Sequence, residues 1–268
     1  MRRPLEAPAQ PLRHWRAVTP LDFVLLVVAG VGGGLAGSIA GLASLVSYPA
    51  LLAFGLTPVN ANVTNTVALV CSSLGSTLGS RPELRGQAPR VRALAAAAVL
   101  GGAAGAGLLL LTSPDTFERI APWLIAGASV VILLRRRIQP EAPAGRGHQA
   151  GARVLTSVFL VGVYGGYFGA AAGVVLLAVL LAATSDTLAR ANALKNVVLG
   201  IANGTAAVAF ALLADVDWLA ALPLAVGLLA GGRLGPVIVR RSDAGVLRTV
   251  IGLLGLGLAI KLGLDAYR

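Results

Sequence analysis

The sequence is short of charge, of aromatic rings and of cysteine, and each shortage excludes something. Only 12% of its 268 residues are charged, and no Asp, Glu, Lys, Arg or His occurs from Phe23 through Ser80. Soluble domains keep roughly a quarter of their residues charged, so a soluble enzyme is excluded. Aromatic residues make up 5% against 34 glycines. Helices of that composition bury surface by close backbone approach rather than by large side chains. The lone cysteine, Cys71, can form neither an intrachain disulfide nor a metal site by itself. His14 and His148 both fall in polar segments, which leaves no intramembrane histidine to serve a nucleophile or bind a metal. No Walker-type loop is present. Gly32, Gly34 and Gly37 match the dinucleotide pattern only formally, because no strand precedes them and Thr57 stands where an acid is needed. An enzyme, a cofactor and ATP-driven transport by this chain alone are therefore not expected.

What is abundant is apolar sequence: 56% of residues are hydrophobic. A bilayer core of about 30 Å takes about 20 apolar residues per helical crossing. Eight segments reach that length, at about 22–41, 60–80, 93–112, 118–135, 154–171, 191–213, 218–239 and 246–264. Two shorter pieces remain, at about 43–56 and 172–184. The expected fold is all-α, a polytopic membrane helix bundle of about eight full spans plus two short or broken helices. The first apolar run continues past Gly41 without a small-residue cleavage site, so it reads as an uncleaved span rather than a signal peptide. The net charge of +11 is concentrated between the runs: Arg2, Arg3, Arg13 and Arg16, then Arg81 to Arg92, then Arg135 to Arg153. That is how loops retained in the cytoplasm look, and it is not a nucleic-acid-binding stripe.

Shifting the second half back by 130 residues sets Ala61, Asn62 and Val67 against the identical Ala191, Asn192 and Val197; at a slightly smaller offset Gly101 and Gly105 meet Gly227 and Gly231. The short pieces also occupy matching places. The expectation is an internal duplication: a basic tail over 1–21, a first repeat over 22–137, a Pro/Gly linker over 138–151 and a second repeat over 152–266. Corresponding loops have opposite charge character, Arg81 to Arg92 against Asp215 to Asp217, which points to inverted halves. That arrangement would put the basic amino terminus outside. A four-plus-four bundle with both termini inside instead violates the charge rule at Arg240 and Arg241, and the sequence leaves the choice open.

The polar residues inside the apolar runs carry the chemistry. On a helix, Asn192, Asn196 and Asn203 line one face with Lys195 beside them. A lysine at mid-membrane costs about 2.5 to 3.5 kcal/mol and tends to face a cavity or partner, and no acid lies inside an apolar run to pair with it. Two readings stand: a counter-charge for an anionic substrate, or a residue near its helix end that snorkels to the interface. From the first half, Asn62, Thr64 and Asn65 would join the substrate site. Ser72 and Ser73 are assigned to interhelical hydrogen bonds. Arg233 is either a second intramembrane cation or another snorkelling residue. Pro49 and the glycines at 165, 166, 169 and 173 are candidates to interrupt helices, and interrupted helices with amino ends at a cavity attract anions.

At these residues the chain resembles the TauE/SafE family of sulfite exporter-like membrane permeases. The resemblance runs from about Gly30 to Leu262. It is most specific over Gly169 to Leu181, Arg190 to Asn196, Asn203, Phe210, Asp217, Trp218, Gly227 and Gly231 to Gly235. It implies a multi-pass inner-membrane transporter of sulfite, sulfonates or related organosulfur anions. The segment Leu42 to Pro49 departs from the family pattern, keeping the proline but lacking the glycine cluster before it. The expected function is thus a permease moving a small anion by alternating access, its partners that anion and the bilayer, with no nucleic acid and with homo-oligomerisation open. The alternative from another class is a non-transporting accessory or assembly subunit whose glycine faces bind another protein's helices.

Overall fold

The computed structural model describes residues 19–134, 151–184, 186–239 and 245–266. Most of the expected basic tail and linker lie outside the described residues, as do His14, His148, Arg240 and Arg241. Eleven helices are described and no strand: α1 (Pro20–Ala40), α2 (Ser44–Phe54), α3 (Pro58–Gly79), α4 (Arg81–Leu84), α5 (Ala88–Leu111), α6 (Pro114–Leu134), α7 (Ala152–Tyr167), α8 (Ala172–Ala183), α9 (Leu188–Leu213), α10 (Trp218–Val239) and α11 (Gly245–Ala266). Four of them, α1, α5, α9 and α10, are long and apolar enough to cross a membrane by length and composition. At 1.5 Å per residue α1 is about 32 Å long, while α2 and α8, at 11 and 12 residues, reach only about halfway.

Local sequence accounts for the ends. Thr19 caps α1, its hydroxyl accepting from the Asp22 N–H while the Asp22 carboxylate accepts from the Thr19 N–H and hydroxyl. Proline begins or follows the start of α1, α3, α4 and α5, where its missing N–H costs nothing. Gly41 ends α1 in the left-handed region at φ 77°, and Gly169 turns the chain after α7 at the same φ. Pro49 is a correction to the sequence reading: it sits inside α2 and does not interrupt it. The break comes earlier, between Gly41 and Ala43.

Glycine contacts fix the direction of the helices. A methyl added at Gly227 would lie 2.8 Å from the Gly30 Cα, and one at Gly231 would lie 2.9 Å from the Leu35 N, so α10 runs parallel to α1. Gly101 and Gly105 meet Gly162 and Gly166 in the same way, so α5 runs parallel to α7. Gly75 and Gly79 advance along α10 from Leu229 to Pro236, which sets α3 parallel to α10. Within the α1–α2 pair the order reverses, Gly33 meeting Ser47 and Gly37 meeting Ala43, so α2 doubles back as a hairpin arm. The α5 and α9 starts meet at Arg90 and Asp186 and their middles at Gly102 and Ala202, making α9 parallel to α5 and α7. Thus α1, α3 and α10 point one way while α5, α7 and α9 point the other.

These directions sort the charges. At one face, where α1 begins and α9 ends, stand Asp22, Asp115, Glu118, Asp215, Asp217 and Asp265, with Arg119 and Lys261. At the other face stand Arg81, Arg85, Arg90, Arg92, Arg153 and Arg190, with Glu83 and Asp186. We call the two the acidic and the basic face.

Candidate functional site

The two helix breaks meet at the centre of the bundle. A methyl on Gly41 would lie 2.6 Å from the Gly173 Cα, so the turn between α1 and α2 touches the first turn of α8 backbone to backbone. Tyr164 pins the second break by donating its hydroxyl proton to the Ala170 carbonyl at 2.7 Å. Ala171, at φ 59°, is the one non-glycine residue with positive φ among the described residues. Such a conformation costs about 1 to 3 kcal/mol and persists where surrounding structure imposes it.

Each break is tied by an asparagine from a long helix on the opposite side of the bundle. The Asn62 amide of α3 donates to the Tyr167 carbonyl, the last of α7, at 2.8 Å. The Asn192 amide of α9 donates to the Ser38 carbonyl in the last turn of α1, also at 2.8 Å. Carbonyls at a helix end have no partner within the helix, so both amides satisfy groups that burial would otherwise orphan. Lys195 is fully buried and donates from Nζ to the Gly37 carbonyl at 3.0 Å. Full burial excludes the snorkelling reading of Lys195, and its ammonium complements the negative end of the α1 dipole. Position 65, the counterpart of Lys195 in the 130-residue alignment, is Asn65, whose Oδ1 accepts from the Ser47 hydroxyl at 2.5 Å.

A cavity of about 50 Å³ lies against these breaks. Its walls come from Gly37 and Gly41 at the end of α1, Ala43 and Ser44 at the start of α2, Ser72, Ser73 and Ser76 of α3, Gly169, Ala172 and Gly173 at the second break, and Asn196 and Asn203 of α9. Water needs roughly 10 to 15 Å³ of such space, so the cavity holds a few atoms, the size of a small oxyanion. Its polar lining is mostly donors. The first turns of α2 and α8 carry no side-chain cap, and among the described residues nothing bonds the N–H of Ser44 or of Gly173. The Asn196 amide nitrogen is buried without an acceptor. Among the described residues no carboxylate lines the cavity.

The sequence candidates divide accordingly. Asn196, Asn203, Gly169 and Gly173 line the cavity; Asn62, Asn192 and Lys195 hold the backbone behind it; Asn65 is buried with its amide nitrogen unpartnered. Thr64 lies elsewhere: its hydroxyl accepts from the Asp217 N–H at 3.0 Å, at the entrance to α10. Ser72 and Ser73, assigned by sequence to interhelical bonding, are cavity wall. Ser76, Ser44 and Gly41 were not singled out as site residues by the sequence reading. The spacing of Ser72, Ser73 and Ser76 along one helix face was the available signal for Ser76. Arg233 is exposed and stands away from the cavity.

The chain is similar to known membrane transporter proteins. The family model described as "Sulfite exporter TauE/SafE" matches residues 26–262. The chain is 26% identical over 250 residues to the probable membrane transporter protein YfcA of Escherichia coli (strain K12), covering 93% of each. It is also 26% identical over 250 residues to the probable membrane transporter protein ORF9 of a Sinorhizobium species, covering 90% of this chain and 92% of that one. A probable membrane transporter protein of Haemophilus influenzae is 24% identical over 244 residues, covering 90% and 94%. With a match across most of its length, an all-helical bundle and several apolar helices, the chain belongs to the TauE/SafE family and is a multi-pass membrane transporter.

Proposed function

We propose that the protein is an inner-membrane permease for a small oxyanion, with sulfite the first candidate, and that the anion binds in the cavity between the two helix breaks. The observation that carries this reading is the lining itself. Among the described residues, a buried amide donor from Asn196, the unbonded N–H groups at the starts of α2 and α8, and the hydroxyls of Ser44, Ser72, Ser73 and Ser76 converge on about 50 Å³ with no carboxylate in the wall. Donors placed in that way suit an anion, and Lys195 stands one carbonyl behind the wall to balance its charge.

The transport mode follows from the symmetry of the contacts. Gly227 and Gly231 pack on α1 as Gly101 and Gly105 pack on α7, and the Asn62 and Asn192 bonds cross between halves in the same manner. These pairings support two inverted repeats over 22–137 and 152–266, which would exchange roles in alternating access around a central site. The charge distribution of the described residues supports a cytoplasmic basic face.

Radiolabelled sulfite flux in proteoliposomes tests the reading, with sulfate, sulfoacetate and taurine as competitors. Wild-type flux is expected, with Lys195→Gln losing it and the inorganic anions competing better than taurine. Absence of flux with every one of these anions, in correctly inserted protein, would sink the oxyanion assignment.

A further inference from the structure

A second cavity, of about 480 Å³, lies at the acidic face between α2, α6, α11 and the start of α3. Tyr48 and Pro49 of α2, Glu118 of α6, and Lys261 and Asp265 of α11 are among its lining residues. Between this vestibule and the oxyanion cavity stands a layer of rings. Tyr48 meets Phe168 edge-on with centroids 5.4 Å apart, and Phe117 lies 5.8 Å from Tyr167 and 5.9 Å from Phe168. Phe168 directly precedes Gly169, a wall residue of the oxyanion cavity, and Phe117 directly precedes Glu118.

Tyr48 therefore belongs to both the ring layer and the vestibule. It is 2% exposed, and among the described residues its hydroxyl has no hydrogen-bond partner. A buried hydroxyl left without a partner costs about 1 to 3 kcal/mol, which makes one with a charged neighbour a candidate for a bond formed in another state. Glu118 is that neighbour. It is half-buried and lines the same cavity as Tyr48, and among the described residues no hydrogen bond or ion pair holds it. The other charged or titratable groups around it are Asp115 and Arg119 on its own helix, Lys261 and Asp265 on α11, and Tyr167 in the ring layer; α3 carries no charge.

We propose that Glu118 and Tyr48 form a proton-operated gate on the path between the acidic face and the oxyanion cavity, a proposal that rests on the permease reading. As a carboxylate, Glu118 stays in the water of the vestibule, because leaving it would strip a charge of its hydration. A proton from the solution at the acidic face converts it to a neutral carboxyl, for which that penalty is far smaller. The carboxyl then donates its O–H to the Tyr48 oxygen. That bond ties α6 to α2 across the vestibule and holds the ring layer shut, and loss of the proton to the same solution releases it. Because Ser44 in the first turn of α2 lines the oxyanion cavity, fixing α2 closes the route from that face.

Sulfite exchange, measured in right-side-out vesicles while only the outer pH is lowered from about 7 to about 4.5, tests the gate. Wild type should slow by about tenfold beyond any change shared with the variants, a coupling of ordinary size. Glu118→Gln, whose amide can donate to Tyr48 at every pH, should be slow throughout. Tyr48→Phe, which lacks the acceptor, should be fast throughout. Parallel profiles in all three proteins would overturn the gate and leave the permease standing. A second readout needs no transported anion: labelling of Ser44→Cys, with Cys71 replaced by serine, by an impermeant thiol reagent added outside. At any one pH labelling should be faster in the Tyr48→Phe background than in the Glu118→Gln background. Equal labelling overturns the gate, and wild-type protein that exchanges no sulfite at any pH overturns the permease reading instead.

Discussion

The hairpins α1–α2 and α7–α8 are built alike and neutralised differently. Each has a long arm ending at a left-handed glycine, Gly41 or Gly169, and a short arm starting without a side-chain cap at the cavity. Each has its terminal carbonyls met by an asparagine from a long helix of the opposite half. Among the described residues only the α1 end also receives an ammonium, from Lys195; Asn65, the aligned residue of the first half, bonds Ser47 instead. Backbone geometry at the centre is thus close to two-fold, while its charge is one-sided. On the oxyanion reading, a bound anion would meet the Lys195 side from α9, which would give the cavity a preferred orientation for it.

The strongest way to break the comparison is to deny the hairpins their contact. Gly41→Val places a β-branched residue at φ 77° with its Cβ against the Gly173 backbone, combining left-handed strain with a clash that cannot relax, each about 1 to 3 kcal/mol. Loss of monodisperse folded protein in detergent by size-exclusion chromatography is the expected result. Gly55→Ala is the control, since it shares a positive φ but has nothing within 4 Å of its Cβ.

Next in size is the one-sided charge. Lys195→Met should weaken sulfite binding by about a hundredfold, within the 2 to 5 kcal/mol typical when one member of a buried, charge-assisted contact is truncated. Titration calorimetry on the purified variant checks it. The exchange Lys195→Asn with Asn65→Lys moves the cation to the other hairpin and sharpens the test. Partial recovery of binding relative to Lys195→Asn alone is expected if the two breaks are equivalent in backbone and differ only in charge.

Smaller still are the paired amides. Asn62→Ala and Asn192→Ala each strand one helix-end carbonyl, a loss of about 1 to 3 kcal/mol. The two variants should lower the thermal midpoint by similar amounts, because the bonds they remove have the same 2.8 Å length and the same kind of acceptor. A large effect from one and none from the other would mark the resemblance as superficial. The smallest effect is expected at the basic face, where Asp186 pairs with Arg90 and Arg190. Its groups are partly exposed, so Asp186→Asn should cost about 1 kcal/mol or less, and added salt should erase most of the difference in a melting curve.

Much of this was legible in the sequence. Turn residues and apolar run lengths placed the helices within a few residues, because each helix satisfies its own backbone and its signal is local. The run at about 43–56 proved to be α2, a hairpin arm too short to cross, as its length required. Asn62, Asn192 and Lys195 could be singled out because polar side chains in apolar runs are costly and so conspicuous. Ser44 and Gly41 could not, since neither is unusual in such a chain and their importance comes from a break whose position Pro49 misreported. Thr64 was conspicuous for the same reason as its neighbours, yet it faces the start of α10; a polar residue announces itself without saying what it meets.

The sequence by itself determined that the chain is a helical membrane protein, roughly where its longer helices lie, and which family it resembles. Only the tertiary structure decided that α1 packs on α10 and α5 on α7, that Arg81 to Arg92, Arg153 and Arg190 share one face, that Lys195 is buried on the Gly37 carbonyl and that two breaks enclose a cavity. The reason is physical: lipid and neighbouring helix are equally apolar, so hydrophobic pattern does not mark which face of a helix meets another. That choice lies in backbone contacts between glycines far apart in the chain, and those contacts exist only once the bundle has formed.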